Sequence, residues 1–366
     1  MTITKEKVLE ALGYVMEPDL KKDLVTLNMI KDIEINDKHV TFTVVLTTPA
    51  CPLKAEIERA CINAIVHFVD KDALVTVNMT ANVTTVRSGE DVLKNVRNIV
   101  AIASGKGGVG KSTVAANLAV ALAGMGAKVG LIDADIFGPS VPIMFGAEYE
   151  RPFIEEKNGK QYMLPVERHG VKLLSIGFLA EPDQAIVWRG PMASKALKQL
   201  IGDAWWGELD YLLIDLPPGT SDIHLTLVSA VPLTGAIVVT TPQNVALADA
   251  RKGISMFKMQ GINVPVLGLV ENMAWFTPAE LPNNNYYIFG KDGGKKLADE
   301  AGVPLLGQIP LVQAVCDGGD AGMPVALDDK SAVGMAFDKL AQSVAQQIAI
   351  RNAEQPATQK AAAAGF

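Results

Sequence analysis

The stretch 98-NIVAIASGKGGVGKST-113 decides the fold. An apolar run ends in a glycine-rich turn, and a helix-forming run, KSTVAANLAVALAGMG, follows at once. Gly105, Gly110, Lys111 and Ser112 fit the spacing G-x-x-x-x-G-K-[ST]. Glycines let backbone N–H groups turn inward around phosphate oxygens, and the following helix adds the positive end of its dipole. In that arrangement Lys111 reaches the β- and γ-phosphates and the Ser112 hydroxyl ligates Mg²⁺. A strand–helix turn without a ligand is the plain alternative, but it gives no reason for the complete pattern. Lys106 is a second lysine in the same loop, and in isolation it reads as a solvated side chain.

Working outward, KVGLIDAD, DYLLIDLPPG, GAIVVTTPQ and VLGLVENMA are short, nearly continuous apolar runs separated by helical stretches. Strands buried on both faces have this composition, so the pattern predicts a parallel sheet covered by helices. Ligands of such sheets bind at the carboxyl ends of the strands. Asp133 and Asp135 follow KVGLI there, and Asp215 ends DYLLI. Each alone is as well explained by a helix N-cap; three beside a phosphate loop point to function. Asp215 is the expected Mg²⁺ partner, Asp135 the residue that positions water, and Asp133 a cofactor contact. Gly219, in DLPPG, is placed to sense the γ-phosphate through its N–H.

Composition narrows the class. Of the 366 residues 49% are hydrophobic and 20% charged, which marks a globular chain with a large core. A net charge of −7 argues against nucleic acid as a partner. Three scattered cysteines, Cys51, Cys61 and Cys316, suit a reducing compartment. The N-terminus lacks a signal-peptide core, and no apolar run has the length of a membrane span, so a cytoplasmic protein without a membrane partner is expected. His39, His67, His169 and His224 show no metal-ligand spacing.

Residues 1–85 read as a small α+β domain. KEKVLEALGYV has helical spacing, TLNMIKDIEINDKHVTFTVVLT is a hairpin pattern with Asn36-Asp37 at its turn, LKAEIERACINAIVHFV is helical and ALVTVNMTANV is a strand. Residues 86–97 read as a linker, 98–350 as the phosphate-loop domain and 351–366 as a disordered tail.

GKGGVGKS resembles the deviant Walker A motif of the MinD/ParA/nitrogenase-iron-protein class of P-loop NTPases. That resemblance implies a homodimer in which Lys106 crosses to the partner's phosphates, acting as an arginine finger does. DADIFGPSVP, WRGPM, DYLLIDLPPGTSD, TTPQNVALADARKGISMF and GLVENMAWF are together similar to the Mrp/ApbC/Nbp35 family, and VTLNMIKDI with TTPACPL to its companion MIP18-like domain. The resemblance covers residues 5 to 345. It implies an iron–sulfur cluster carrier that binds and slowly hydrolyses ATP and delivers clusters to apo iron–sulfur clients or works with cluster-assembly proteins. It also implies an ATP site of Gly105, Lys106, Gly107, Gly108, Val109, Gly110, Lys111, Ser112 and Thr113, with Asn272 recognising adenine and Pro310 flanking the base.

One motif departs. The family carries C-P-x-C shortly after ENM, and two copies across the dimer supply four thiolates to a [4Fe–4S] cluster. This chain has Thr277-Pro278-Ala279-Glu280 there. Cys51, in PACPL at a strand–helix junction, is a weak candidate ligand that a helix N-terminus would activate. Cys61 reads as core and Cys316 as structural. An ATP-gated dimeric switch that binds protein partners without a cluster is therefore the second reading.

Overall fold

The structure is a computed structural model and describes residues 2–87, 93–136, 138–157, 159–179, 190–278, 280–281 and 283–360. The chain divides into two compact units, one holding the residues up to Thr84 with Ala349–Gln355, the other Thr85–Ile348 with the chain from Pro356 onward.

In the first unit the helix Lys5–Leu12 starts at Thr4, whose hydroxyl accepts the Lys7 N–H. A three-stranded sheet follows in the order Ile30–Asn36, His39–Leu46, Leu74–Ala81, antiparallel at the first pairing and parallel at the second. The parallel pairing needs a crossover, supplied by the helix Lys54–Phe68. Val40, Phe42, Val44 and Leu46 are buried at alternate positions, and Ile57, Cys61, Ala64 and Ile65 face them at helical spacing. Phe42 is fully buried, and truncating such a ring costs about 3–5 kcal/mol. The hairpin turns one residue later than its sequence suggests: Asn36 pairs with His39, and Asp37 takes the positive φ of 56° that Asp tolerates.

The second unit is built on an eight-stranded sheet in the order Val166–Arg168, Val171–Ser175, Val129–Asp133, Leu209–Asp215, Val96–Ala103, Gly235–Thr240, Val266–Phe276, Leu305–Leu311. Only the edge strand Val166–Arg168 runs antiparallel. Val129–Asp133 and Gly235–Thr240 are buried at every position, and because successive side chains point to opposite faces, both faces of the sheet are covered. The helix Lys111–Gly124 is buried from Val114 through Leu122, so it runs through the core and does not carry a solvent stripe. Val96–Ala103 sits centrally, with strands added on both sides of it, and its carboxyl end opens into the phosphate loop.

Two expected boundaries move. The central strand begins at Val96, inside the expected linker, because Val96 is buried and pairs with Leu209. The last helix, Ala332–Glu354, continues past residue 350, and Arg351 and Asn352 are buried, so the expected tail starts as helix. Residues 361–366 of that tail lie outside the described residues.

Candidate functional site

The loop from Ser104 to Gly110 joins the central strand to the helix Lys111–Gly124. Two of its glycines are dictated by geometry. Gly110, the helix N-cap, has φ 78°, and a Cβ there would lie 2.3 Å from Asn272 Nδ2. Gly105 lies so close to the helix Asn244–Lys258 that a Cβ would sit 2.1 Å from the Asp249 carbonyl. The Ser104 hydroxyl donates to the Lys106 carbonyl at 2.9 Å, and the Gly219 N–H donates to the Ser104 carbonyl at 2.8 Å, tying the DLPPG segment to the loop. Val109 is buried, Ser112 and Thr113 are half-buried, and Lys106, Gly107 and Gly108 are exposed.

The charges converge on Lys111. Its Nζ donates to Asp215 Oδ1 at 2.6 Å and to Ser112 Oγ at 3.3 Å, and Asp135 Oδ2 is 3.9 Å away. Lys111 is 6% exposed and Asp215 fully buried, a desolvated pair that costs several kcal/mol unless each charge is matched. Burial pushes the Asp215 carboxyl up from its ordinary value, and the Lys111 ammonium and Ser112 hydroxyl pull it back. Asp215 Oδ2 is buried with no hydrogen-bond partner among the described residues. An unspent carboxylate oxygen beside a hydroxyl at a phosphate loop fits a Mg²⁺-bound water, so Ser112 and Asp215 suit a magnesium nucleotide.

Asp133 sits behind Asp135 at the end of the strand Val129–Asp133. It is fully buried, its Oδ1 accepts the Asp135 N–H at 3.1 Å, and its Oδ2 accepts the Val141 N–H at 3.2 Å and the Ser175 hydroxyl at 3.0 Å. Burial, reinforced by the neighbouring Asp215 charge, pushes it up to about 7. Three protein donors occupy its carboxylate, which holds Asp135 in place. His224 is likewise structural in part: Ser221 N–H donates to its Nδ1 at 3.2 Å, which places the proton on Nε2, and burial lowers its pKa to about 4.

Beside the loop lies a cavity of about 370 Å³ whose lining includes Gly110, Thr113, Asn272, Pro310, Val315 and Cys316. It brings Asn272 and Pro310 together as the sequence suggested. Asn272 Nδ2 donates to the Val109 carbonyl at 2.9 Å, so this side chain also fixes the loop and keeps its Oδ1 as an acceptor. Ile143, Met144 and Val312 also line the cavity and escaped the sequence reading; the Val312–Val315 spacing beside Pro310 is the only signal they leave.

Cys51 and Cys61 belong to the first unit and Cys316 to the second. Cys51 is half-buried in the first unit, and burial raises its pKa above the usual thiol value, outweighing the Leu53 backbone hydrogen bond. Desolvation thus works against the expected activation by the helix N-terminus. Cys61 is buried in that unit's core and pushed up to about 12, while Cys316 is exposed, 3.8 Å from Asp320 Oδ2. Among the described residues no three His, Cys, Asp or Glu side chains form a metal-binding group, and no helix is long and apolar enough to cross a membrane.

A glycine loop between a central parallel strand and a buried helix, with a paired lysine and strand-end aspartate, defines a P-loop NTPase. The comparisons with known proteins narrow this class. Residues 95–346 match the ParA family described as NUBPL iron-transfer P-loop NTPase, and residues 5–79 match a family described as iron–sulfur cluster assembly protein. The chain belongs to the iron-transfer P-loop NTPase family. It is 46% identical over 351 residues to the iron–sulfur cluster carrier protein of Synechocystis, covering 95% of this chain and 99% of that one. With the carrier protein of Escherichia coli K12 the identity is 41% over 344 residues, covering 93% and 91% of the two chains. Among solved structures, a nucleotide-binding protein of Archaeoglobus fulgidus in complex with ADP is 38% identical with a TM-score of 0.55, covering 63% of this chain and 89% of that one.

Proposed function

We propose that this chain is an ATP-binding, slowly hydrolysing iron–sulfur cluster carrier and assembly factor that works as a nucleotide-gated homodimer and delivers clusters to apo iron–sulfur proteins. The observation that carries the ATP half is the buried Lys111–Asp215 pair inside a complete phosphate loop. The family and the named relatives, iron–sulfur carriers across nearly the whole chain, support the cargo.

Lys111 and the loop amides bind and orient the triphosphate, and the cavity containing Asn272 and Pro310 takes the base. Ser112 and Asp215 hold Mg²⁺, which when bound neutralises charge on the phosphate oxygens. Asp135, held by Asp133, orients the attacking water. Lys106, exposed on the loop, reaches the phosphates of a second copy. Gly219, bonded to Ser104, transmits the loss of the γ-phosphate to the DLPPG segment.

Thr277-Pro278-Ala279-Glu280 and the dispersed cysteines favour a second reading, an ATP-gated switch that handles protein partners without holding a cluster. Anaerobic reconstitution separates the two, with iron and sulfide counted per subunit and transfer to an apo-ferredoxin followed by its absorbance. A transferable cluster supports the carrier. ATPase-competent protein that holds no iron supports the switch and overturns the carrier reading.

A further inference from the structure

The cavity beside the phosphate loop opens where two strands part. Val266–Phe276 and Leu305–Leu311 run side by side through Glu271, opposite Gln308, and Asn272, opposite Ile309. The register then shifts, and pairing resumes at Phe276 with Leu311. Met273 lies in that gap with φ 55°, a left-handed conformation unfavourable for a methionine. Asn272, Met273, Pro310 and Leu311 all line the cavity.

Immediately before the gap stands a carboxylate. Glu271 is fully buried. Successive side chains of a strand point to opposite faces, and the partners follow that rule. Asn272 Nδ2 donates to the Val109 carbonyl in the phosphate loop, whereas Glu271 Oε2 accepts the Gly294 N–H at the start of the helix Gly293–Ala301. Glu271 Oε1 accepts from Gln308 Nε2 at 2.8 Å, and the same amide nitrogen donates to Asp292 Oδ1 at 3.2 Å. Position 294 must be glycine for this approach, since a Cβ there would lie 2.7 Å from Glu271 Oε2. One carboxylate thus ties the strand carrying Asn272 to the strand carrying Pro310 and to a helix N-terminus, whose dipole favours its charge.

A buried carboxylate is a costly way to join two strands. Its partners are a backbone amide and a side-chain amide, with no lysine or arginine paired to it among the described residues. An apolar pair at 271 and 308 would avoid the desolvation penalty. What apolar packing lacks is direction. Hydrogen bonds to a charged group are short and oriented, so they fix the separation of the strand ends at the place where the cavity begins.

We propose that Glu271 is a positioning residue for base recognition, acting through Asn272 and Pro310 to set the width of the cavity and hence its selectivity for adenine. This rests on the reading of that cavity as the base site. The phosphate loop does not depend on the clamp, so the clamp affects the nucleoside part of the ligand and leaves the phosphates alone.

The test is calorimetric titration of the full chain with Mg–ADP, Mg–GDP and Mg–pyrophosphate. Wild type prefers ADP to both of the others. Glu271→Gln sets one amide against another at Gln308, and Gln308→Met keeps the length of the side chain and removes the donor. In each variant ADP affinity falls about tenfold, as a displaced binding group predicts. The preference for ADP over GDP narrows about tenfold, and pyrophosphate affinity stays within about twofold. Equal losses for ADP and pyrophosphate would assign Glu271 a general structural role and overturn the proposal. Wild-type ratios of ADP to GDP and ADP to pyrophosphate in both variants would overturn it as well. If Glu271→Gln does not fold, Gln308→Met decides by the same ratios. A wild-type chain that binds pyrophosphate as tightly as ADP would instead refute the base-site reading itself, and the positioning role with it.

Discussion

Replacing Gly105 by alanine adds one methyl group, and its consequence can be worked from the contacts. The new Cβ lies 2.1 Å from both the carbonyl carbon and oxygen of Asp249 and 2.5 Å from the Ala250 nitrogen. These are backbone atoms of the helix Asn244–Lys258, so no side chain can rotate aside. To restore 3.4 Å the loop and helix must part by about 1.3 Å, in an interior packed too densely to yield without strain. Overpacking of this kind costs about 2 kcal/mol, or roughly 4–8 °C in melting temperature for a domain of this size. The larger effect falls on function: displacing phosphate-positioning groups by about 1 Å costs roughly 100-fold in rate. Phosphate release at saturating Mg–ATP and differential scanning calorimetry measure the two. Gly124→Ala, at the end of the helix Lys111–Gly124 and outside the loop, is the control, since its Cβ meets nothing within 4 Å. If Gly105→Ala keeps wild-type turnover and melting temperature, the argument that helix contact sets the loop's position is refuted.

Lys111→Met removes the charge that matches Asp215, so ATP affinity falls more than about 100-fold and stability falls by roughly 3 kcal/mol at pH 7. Urea unfolding shows the loss shrinking as pH falls, because burial raises the Asp215 carboxyl and the folded variant takes up a proton before the unfolded chain does. Lys106→Ala slows steady-state phosphate release at least about tenfold while ATP affinity, by calorimetry, stays within about threefold. His224 titrates near 4 when folded and near 6.5 when unfolded, so the unfolded chain binds the extra proton as pH falls between those values. Its contribution therefore destabilises the fold progressively from pH 6.5 to pH 4, by up to about 3 kcal/mol. His224→Gln flattens that part of the stability–pH curve measured by urea unfolding.

The sequence displays the sheet plainly because strands covered on both faces become continuous apolar runs, and it displays the phosphate loop because glycine, lysine and serine at that spacing have few other uses. Finer assignments depend on which way a side chain faces. Asp133 and Asp135 stand two apart in DAD and look equivalent, yet Asp133 ends its strand pointing into the core, where Ser175 and the Val141 N–H consume it. Cys51 carried the signature of a helix N-terminus, but its half-burial beside Glu17 and Asp19 reverses the shift. Glu271, inside an apolar run, shows nothing in sequence of its use: its carboxylate accepts the Gly294 N–H and, at 2.8 Å, the Gln308 amide, holding the strand next to Asn272. The antiparallel pair Phe153–Lys157 and Lys160–Leu164 escaped notice although Asn158-Gly159 in the sequence is a strong hairpin signal. The tilt of Asn272 onto the Val109 carbonyl is a tertiary contact across the fold that no local pattern encodes.

In the proposed nucleotide-gated homodimer each exposed Lys106 would complete the other copy's site. Sedimentation velocity of the full chain with Mg–ATP, Mg–ADP and no nucleotide tests this most directly, using Asp135→Asn to hold ATP unhydrolysed. The account predicts a dimer with Mg–ATP, a shift toward monomer with Mg–ADP, and loss of the ATP-dependent shift when Lys106 is changed to alanine. The same sedimentation coefficient in all three nucleotide conditions, with ATP bound stoichiometrically, would contradict it.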